Sequence, residues 1–288
     1  MTRGRRDVDL QWDVDLHCHS TISDGALVPA AVVARAAAQG VHVLALTDHD
    51  EVGGLAAASE AAREAGIDFV NGVEVSVTWR GTTVHIVGLK IDPFESKLVQ
   101  GLESVRSGRI RRARRMGEEL AQAGLPGTFE GAMKYAGNPS MIGRTHFARY
   151  LVEIGAVADT RAVFKRFMVP GKPGFVPHEW ADLAAAVGWI LAAGGRAVLA
   201  HPGRYGLSGG ALADLLKQFR ASGGQAIEVI TGSHTPDQYA LFAAIAENHD
   251  FLVSRGSDFH APGEGNADFG KLPQLARNLT PVWHDWAF

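Results

Sequence analysis

The chain has 288 residues, of which 46% are hydrophobic and 20% charged, with a formal net charge of −3. That length accommodates one large barrel or two ordinary domains, and the composition is that of a soluble protein with ample core. The slight acidic balance excludes an obligate nucleic-acid coat protein and leaves room for a locally basic cleft.

In chain order, the basic opening "MTRGRRD" reads as a solvated tail. "WDVDL" predicts a strand, and "PAAVVARAAAQG" a helix opened by Pro29 and closed by Gly40. "VHVLAL" is a strand, "VGGLAAASEAAREAG" a helix ended by Gly66, and "IDFVNGVEVSV" a strand again. "TTVHIVGLKI" keeps a period of two, with Val84 and Ile86 on one side and Thr83, His85 and Val87 on the other. This rhythm predicts parallel strands with helical crossovers. From about Pro93 to Pro177 it gives way to helical patterns. The longest, "SKLVQGLESVRSGRIRRARRMGEELAQAG", places Leu102, Val105, Ala113, Met116 and Leu120 on one face. "RTHFARYLVEIG" and "TRAVFKRFM" follow, and the loop "VPGKPGFVP" closes the segment. The alternation then resumes: a helix from Leu183, strand "RAVLA", helix "ALADLLKQFRAS", strand "AIEVI", helix "PDQYALFAAIAEN", strand "FLVS". The expected architecture is one α/β barrel interrupted by a helical insertion.

Cys18 is the sole cysteine, so no disulfide framework exists and a reducing interior is the simpler reading. No secretory segment stands out, and the apolar run Val187–Ala193 is too short to span a bilayer. The expected location is cytoplasmic.

In parallel α/β barrels, reacting groups come from the carboxyl ends of strands. Here those ends are rich in metal-ligand types. The first strand runs into His17, His19 and Asp24; the second into Asp48, His49 and Asp50; the third carries Glu74 and the next His85. Later ends supply His201, His234, Asp258 and His260. A lone histidine beside a strand is an ordinary structural residue, but the His17-x-His19 pair puts two imidazoles on one face, with Cys18 pointing away. So many polar groups around one mouth are costly to desolvate without cations. The set is imidazole and carboxylate without thiolate, which suits Mn²⁺, Zn²⁺ or Fe²⁺.

Together "DLHCHSTISDG", "LALTDHDEVGG", "NGVEVS", "VHIVGL", "LAHPGRY" and "GSDFH" resemble the PHP (polymerase and histidinol phosphatase) superfamily. The chain is most similar to its branch of 3′,5′-nucleotide bisphosphate phosphatases and a 5′-to-3′ exoribonuclease. The resemblance implies a distorted (β/α)₇, TIM-like barrel at 1–94 and 178–288, with an inserted helical lid at 95–177. It implies three divalent ions, Mn²⁺ first, with Zn²⁺, Fe²⁺ or Mg²⁺ as alternatives. One would be held by His17, His19, Glu74 and Asp258, a second by Glu74, His85 and His201, the third by Asp24, His49 and His260.

The expected reaction is attack of a metal-bridging hydroxide on phosphorus, with Asp258 in the catalytic centre and His234 as the candidate proton donor to the leaving oxygen. Arg204, Arg144, Lys172 and His234 are candidates for holding the substrate, a small phosphorylated nucleotide or short RNA. No membrane and no obligate protein partner are expected. Arg111, Arg114 and Arg115 of "RIRRARR" oppose the apolar stripe and read as a solvated face. Asp48 and Asp50 either orient the His49 ring or cap the helix after it. The alternatives are a histidinol-phosphatase-like phosphomonoesterase, a non-catalytic PHP module, which the intact ligand set counts against, and an amidohydrolase, disfavoured by the extra arginines.

Overall fold

The computed structural model describes residues 12–265 and 267–287; the basic opening segment lies outside them. Seven strands, β1 (Val14–Asp15), β2 (Val43–Leu46), β3 (Asp68–Trp79), β4 (Thr82–Leu89), β5 (Arg196–Leu199), β6 (Ala226–Thr231) and β7 (Leu252–Gly256), stand beside one another in chain order. The Leu16 N–H donates to the Arg255 carbonyl at 3.0 Å and Asp258 N–H to the His17 carbonyl at 2.8 Å, which brings β7 back to β1. The result is a mixed α/β fold with a nearly closed, distorted barrel.

One strand departs from the expected parallel rhythm. β4 runs antiparallel to both β3 and β5. Only Arg80 and Gly81 separate it from β3, at φ 46° and 77°. Two residues with positive φ make a tight hairpin, whereas a parallel return needs a crossover of a dozen or more. The inversion matters for chemistry: the beginning of β4, not its end, reaches the mouth where the parallel strands finish.

Alternation sorts the strand side chains. Val14, Val43, Ala45, Val70, Val87, Leu89 and Val198 fill the barrel with Val282, Trp283 and Trp286 of the C-terminal segment. Leu44, Leu46, Val73, Ile86, Leu199 and Ile227 face outward, against the helical layer. That layer includes α1 (Pro29–Ala38), α2 (Leu55–Ala65), α3 (Ser96–Arg106), α8 (Leu183–Ala192), α9 (Gly209–Ala221) and α10 (Pro236–Asn248). Between α3 and α8 lie α4 (Arg109–Gln122), α5 (Thr128–Met133), α6 (Arg144–Glu153), α7 (Thr160–Val163) and a π-helix at Phe164–Met168.

The long helix expected after Pro93 is two helices. α3 buries Leu98, Leu102 and Val105 in the outer barrel core. α4 buries Ala113, Met116 and Leu120 in a separate cluster with Phe147, Leu151, Phe167 and Val176. The chain breaks at Ser107–Gly108, where a Cβ on Gly108 would lie 2.4 Å from His178 Cε1. A continuous stripe in sequence is thus divided between two cores. No helix among the described residues is long and apolar enough to cross a membrane.

Candidate metal centre

The extended chain after β1 carries His17 and His19, both fully buried, with ring centroids 5.2 Å apart. Cys18 points outward, its Sγ 3.2 Å from the Ala45 carbonyl. Two glycines allow the close packing here. A Cβ on Gly256 would stand 2.3 Å from His17 Cβ, and one on Gly25 2.4 Å from the His19 carbonyl oxygen. The glycine after Asp24 is therefore a steric requirement of the loop.

Glu74 of β3 is the hub. Its Oε1 lies 3.3 Å from His17 Nε2, 2.8 Å from His85 Nδ1 and 3.0 Å from His201 Nε2. Its Oε2 lies 3.4 Å from His19 Nε2 and 2.8 Å from His49 Nδ1. Asp258 Oδ1 approaches His17 and His19 Nε2 at 3.5 and 3.2 Å. Asp24 Oδ1 stands 3.3 Å from His260 Nε2 and 3.9 Å from His49 Nε2. All nine candidate ligands drawn from the sequence meet in one basin.

Their clusters overlap: His19 with Asp24, His49 and His260; His17 with His19 and Glu74; His17 with His201 and Asp258; His49 with Glu74 and His85. This grouping joins His19 to the Asp24 cluster and His201 to Asp258. The implied three-ion division, with Glu74 shared between the first two ions, groups the same nine residues in another way.

The donor set fits divalent cations. His17 Nε2, His19 Nδ1, Asp24 Oδ1, His49 Nδ1 and Glu74 Oε2 are buried without a hydrogen-bond partner, a costly state that a bound cation relieves. Burial opposes ionisation of Glu74, yet His85, His49 and His17 hold it well below the usual carboxylate range. Burial likewise opposes charge on Asp24 and Asp258, and neighbouring imidazoles again prevail. Burial drives His19 to about 3, with His260 and His49 adding repulsion, and drives His85 to about 4. Ionised carboxylates and the neutral imidazoles of His19 and His85 are already in their ligating forms. His201 and Asp258 adopt φ of 25° and 57°, left-handed backbone that costs about 1–3 kcal/mol each and gathers at functional sites.

Surrounding carboxylates fix the ligands. Glu228, in the middle of β6 and 1% exposed, places Oε1 2.7 Å from His17 Nδ1 and accepts the His201 N–H on Oε2 at 2.6 Å. The sequence reading passed over Glu228, although a carboxylate inside "AIEVI" was a visible signal. Asp48 accepts from Ser20 and Ser23, stitching the loop after β1. Asp50 accepts the Ser76 N–H and hydroxyl at 2.7 and 2.9 Å and pairs with Arg109. These aspartates therefore brace loops; the N-cap of α2 is Gly54, with no side-chain cap.

A cleft beside the basin is lined by Arg109, Arg112, Arg144, Arg204 and Trp180, among others. Arg109 and Arg112 lie with their guanidinium carbons 4.6 and 5.3 Å from the Trp180 ring centre. Arg204 Nη1 donates to Asp258 Oδ2 at 2.8 Å. Burial, with Arg204 and Arg109 nearby, lowers Arg144 to about 10. Arg109 and Arg112 were missed by sequence. They share the apolar stripe of α4 with Ala113 and Met116, and cations on that stripe were the available signal. Arg111, Arg114 and Arg115 are exposed as expected.

Two candidates do not belong to this cleft. Lys172 is exposed in a turn after the π-helix and lines neither the cleft nor the adjoining groove. His234 is 6% exposed and stacked on Phe242. Its Nε2 accepts the Gly203 N–H at 2.9 Å, so Nδ1 carries the proton and donates to the Val229 carbonyl at 3.1 Å. Both ring nitrogens are thus engaged by main chain, and the ring braces the turn after His201. His146 is also internal, its Nδ1 accepting from Gly143 N–H, and His178 packs edge-on against Trp180.

A barrel with a histidine and carboxylate basin at its mouth defines a protein built to hold divalent cations. The PHP domain family model matches residues 15–152. The chain is 55% identical over 273 residues to the 3′,5′-nucleoside bisphosphate phosphatase of Chromobacterium violaceum, covering 95% of this chain and 96% of that one. It is 44% identical over 269 residues to the 5′-3′ exoribonuclease of Haemophilus influenzae, covering 93% and 97%. A solved amidohydrolase structure from Chromobacterium violaceum, with bound sulfate and no metal, matches with TM-score 0.92 and 55% identity over 94% of each chain. The chain belongs to the PHP family.

Proposed function

We propose that this protein is a metal-dependent phosphoesterase that removes the 3′-phosphoryl group from nucleoside 3′,5′-bisphosphates and trims 5′ ends of short RNAs. One observation carries the reading: a basin of nine potential ligands opens directly onto a cleft walled by four arginines. A compact monoester does not require that many cations, while a substrate with a second phosphate does. The relatives named a phosphatase and an exoribonuclease support the same reaction class.

In this reading His17, His19, Asp24, His49, Glu74, His85, His201, Asp258 and His260 hold three ions, Mn²⁺ first as the family resemblance implies, the imidazole and carboxylate donors suiting Zn²⁺ or Fe²⁺ as well. Bound ions supply Lewis-acid stabilisation of the phosphoryl oxygens and acidify water. The chain supplies the rest. Arg109, Arg112 and Arg144 bind the second phosphate, and Arg204, anchored on Asp258, orients the phosphoryl group under attack. The insertion, 95–177, serves as the lid that brings Arg109, Arg112 and Arg144 to the barrel.

The test is phosphate release from adenosine 3′,5′-bisphosphate and from histidinol phosphate, and shortening of a 5′-phosphorylated oligoribonucleotide, with Mn²⁺ present. The reading predicts turnover of the first and third. Preference for histidinol phosphate, or no activity on any of them, overturns it.

A further inference from the structure

Two adjoining openings border the basin. The arginine cleft touches Asp24, His49, His85 and His260. A second groove touches Asp258 and His260. The two share Thr145, Phe164, Arg204 and His260, so they adjoin beside the candidate metal centre. Their characters differ. The cleft is narrow, about 80 Å³, and rich in guanidinium groups. The groove measures about 370 Å³ and is lined by Thr160, Arg161, Gly232, Ser233 and Gly265. Its carboxylate, Glu264, is clamped by Arg149 at 3.0 and 2.9 Å. Phe164 is the aromatic residue common to both. It opens the five-residue π-helix and is half-buried, with the Arg144 guanidinium 5.8 Å from its ring centre. Such π-turns are uncommon and concentrate at functional sites.

Building on the phosphoesterase reading, we infer that the groove beyond Phe164 receives the second nucleotide of a 5′-phosphorylated oligoribonucleotide, with Phe164 as the stacking platform at the cleavage point. A terminal 5′-phosphate is a dianion and belongs in the arginine cleft. The continuing chain carries one charge per linkage and needs width, small polar walls and an outlet, which the groove provides. An aromatic face at the junction holds a base regardless of its identity. The chemistry is then one reaction with two outcomes. Water adds its oxygen to the phosphorus, the bond from phosphorus to the 3′-oxygen breaks, and the proton ends on that oxygen. With nothing further attached to the phosphoryl group, the product is inorganic phosphate. With a nucleotide attached, the product is a shortened chain bearing a new 5′-phosphate, ready to enter again.

The experiment compares kcat/KM for adenosine 3′,5′-bisphosphate and for a 5′-phosphorylated pentaribonucleotide in the Mn²⁺-loaded full chain, in Phe164→Ala and in Ser233→Trp. Ser233→Trp narrows the groove and Phe164→Ala removes the platform. Each lowers the ratio of oligonucleotide to bisphosphate activity by about tenfold or more, the scale of a lost base stack, and Phe164→Tyr restores it. Bisphosphate turnover by each variant reports that it is folded. Should the wild type hydrolyse the bisphosphate but leave the oligonucleotide intact, or should both ratios stay at the wild-type value, the groove assignment is wrong. Failure of the wild type on both substrates instead rejects the underlying phosphoesterase reading.

Discussion

Thr145 Oγ1 donates to Asp24 Oδ2 at 2.8 Å, so a side chain of the helical insertion holds one oxygen of a candidate metal ligand and leaves the other, Oδ1, facing His260. Arg149, one turn further along α6, donates to the Asp24 carbonyl at 2.7 Å. α6 therefore positions this carboxylate, and its Arg144 and Thr145 line the cleft. Thr145→Val removes the donor with little change in shape. Metal affinity should fall by about 10–100-fold, read as Mn²⁺ retained after dialysis against a series of free-metal concentrations. A binding curve identical to that of the wild type would show that Asp24 needs no such support.

Glu228 tests the same principle from beneath the basin. Its oxygens hold the His17 ring and the His201 main chain at once, fixing His17 with Nε2 toward Glu74. Glu228→Gln keeps the volume and loses the charge that favours a proton on Nδ1. Activity at limiting Mn²⁺ should drop by about 10–100-fold and recover substantially as Mn²⁺ is raised. Loss that excess metal cannot mend would point to a role in the reaction itself.

Protonation supplies a third prediction. Burial opposes charge on His260, but Asp24 beside it raises the imidazole to about 9, and Glu74 and Asp24 raise His49 against the same opposition. A value of about 9 means that, without a cation, the His260 ring carries a proton near neutral pH, and His49 is shifted in the same direction. A divalent ion needs the bare nitrogen, so loading must expel that proton, and affinity must rise with pH up to about 9. Calorimetry of Mn²⁺ binding in buffers of different ionisation enthalpy measures the release directly. A binding enthalpy independent of the buffer would contradict the assignment of a protonated ring.

The arginines of α4 divide by face. Arg109 is buried, paired with Asp50 and stacked on Trp180, whereas Arg111, Arg114 and Arg115 are exposed. Arg109→Ala leaves Asp50 without its cationic partner and should cost about 3–5 kcal/mol, as breaking a buried pair does, besides weakening substrate binding. Replacing the three exposed arginines with glutamine should leave kcat/KM for the bisphosphate unchanged. Chemical denaturation and kinetics together separate the two classes. A large kinetic loss in the triple variant would make the exposed face a substrate track.

The ligand basin was legible because its residue types recur where strands end, and because His-x-His on extended chain has one geometric meaning. Lone signals were less secure. His234 looked free at a strand end, but its partners, the Gly203 N–H and Val229 carbonyl, are main-chain groups that no residue pattern displays. Glu228 and Arg109 went the other way: each occupies a position that periodicity assigns to apolar residues, and what rescues it is a partner distant in sequence. The inverted β4 escaped notice because alternation reports faces and not direction. Only the two-residue connection at Arg80–Gly81 encodes the reversal. Similarly, Ser107–Gly108 separates two helices whose apolar stripe runs on in sequence, and His178 packs where a side chain at Gly108 would stand.

The opposite end of the barrel is closed by the C-terminal segment, and this makes stability separable from chemistry. Trp286 is 6% exposed and packs with the barrel-interior cluster that includes Val14 and Val43 at the starts of their strands. Lys90 and Arg196 place their cations 5.7 and 5.9 Å from its ring centre, and Arg196 donates to the Val282 carbonyl at 2.6 Å. Trp286→Ala opens the floor of the barrel while leaving every ligand at the mouth in place. Truncating a large buried aromatic costs about 3–5 kcal/mol, so the midpoint of chemical denaturation should fall sharply. Metal content and turnover at low temperature should hold, since strand starts and strand ends are separated by the length of the sheet. A variant with normal stability would mean that the segment merely rests on the barrel. A variant that is stable yet inactive would mean that the floor is coupled to the mouth.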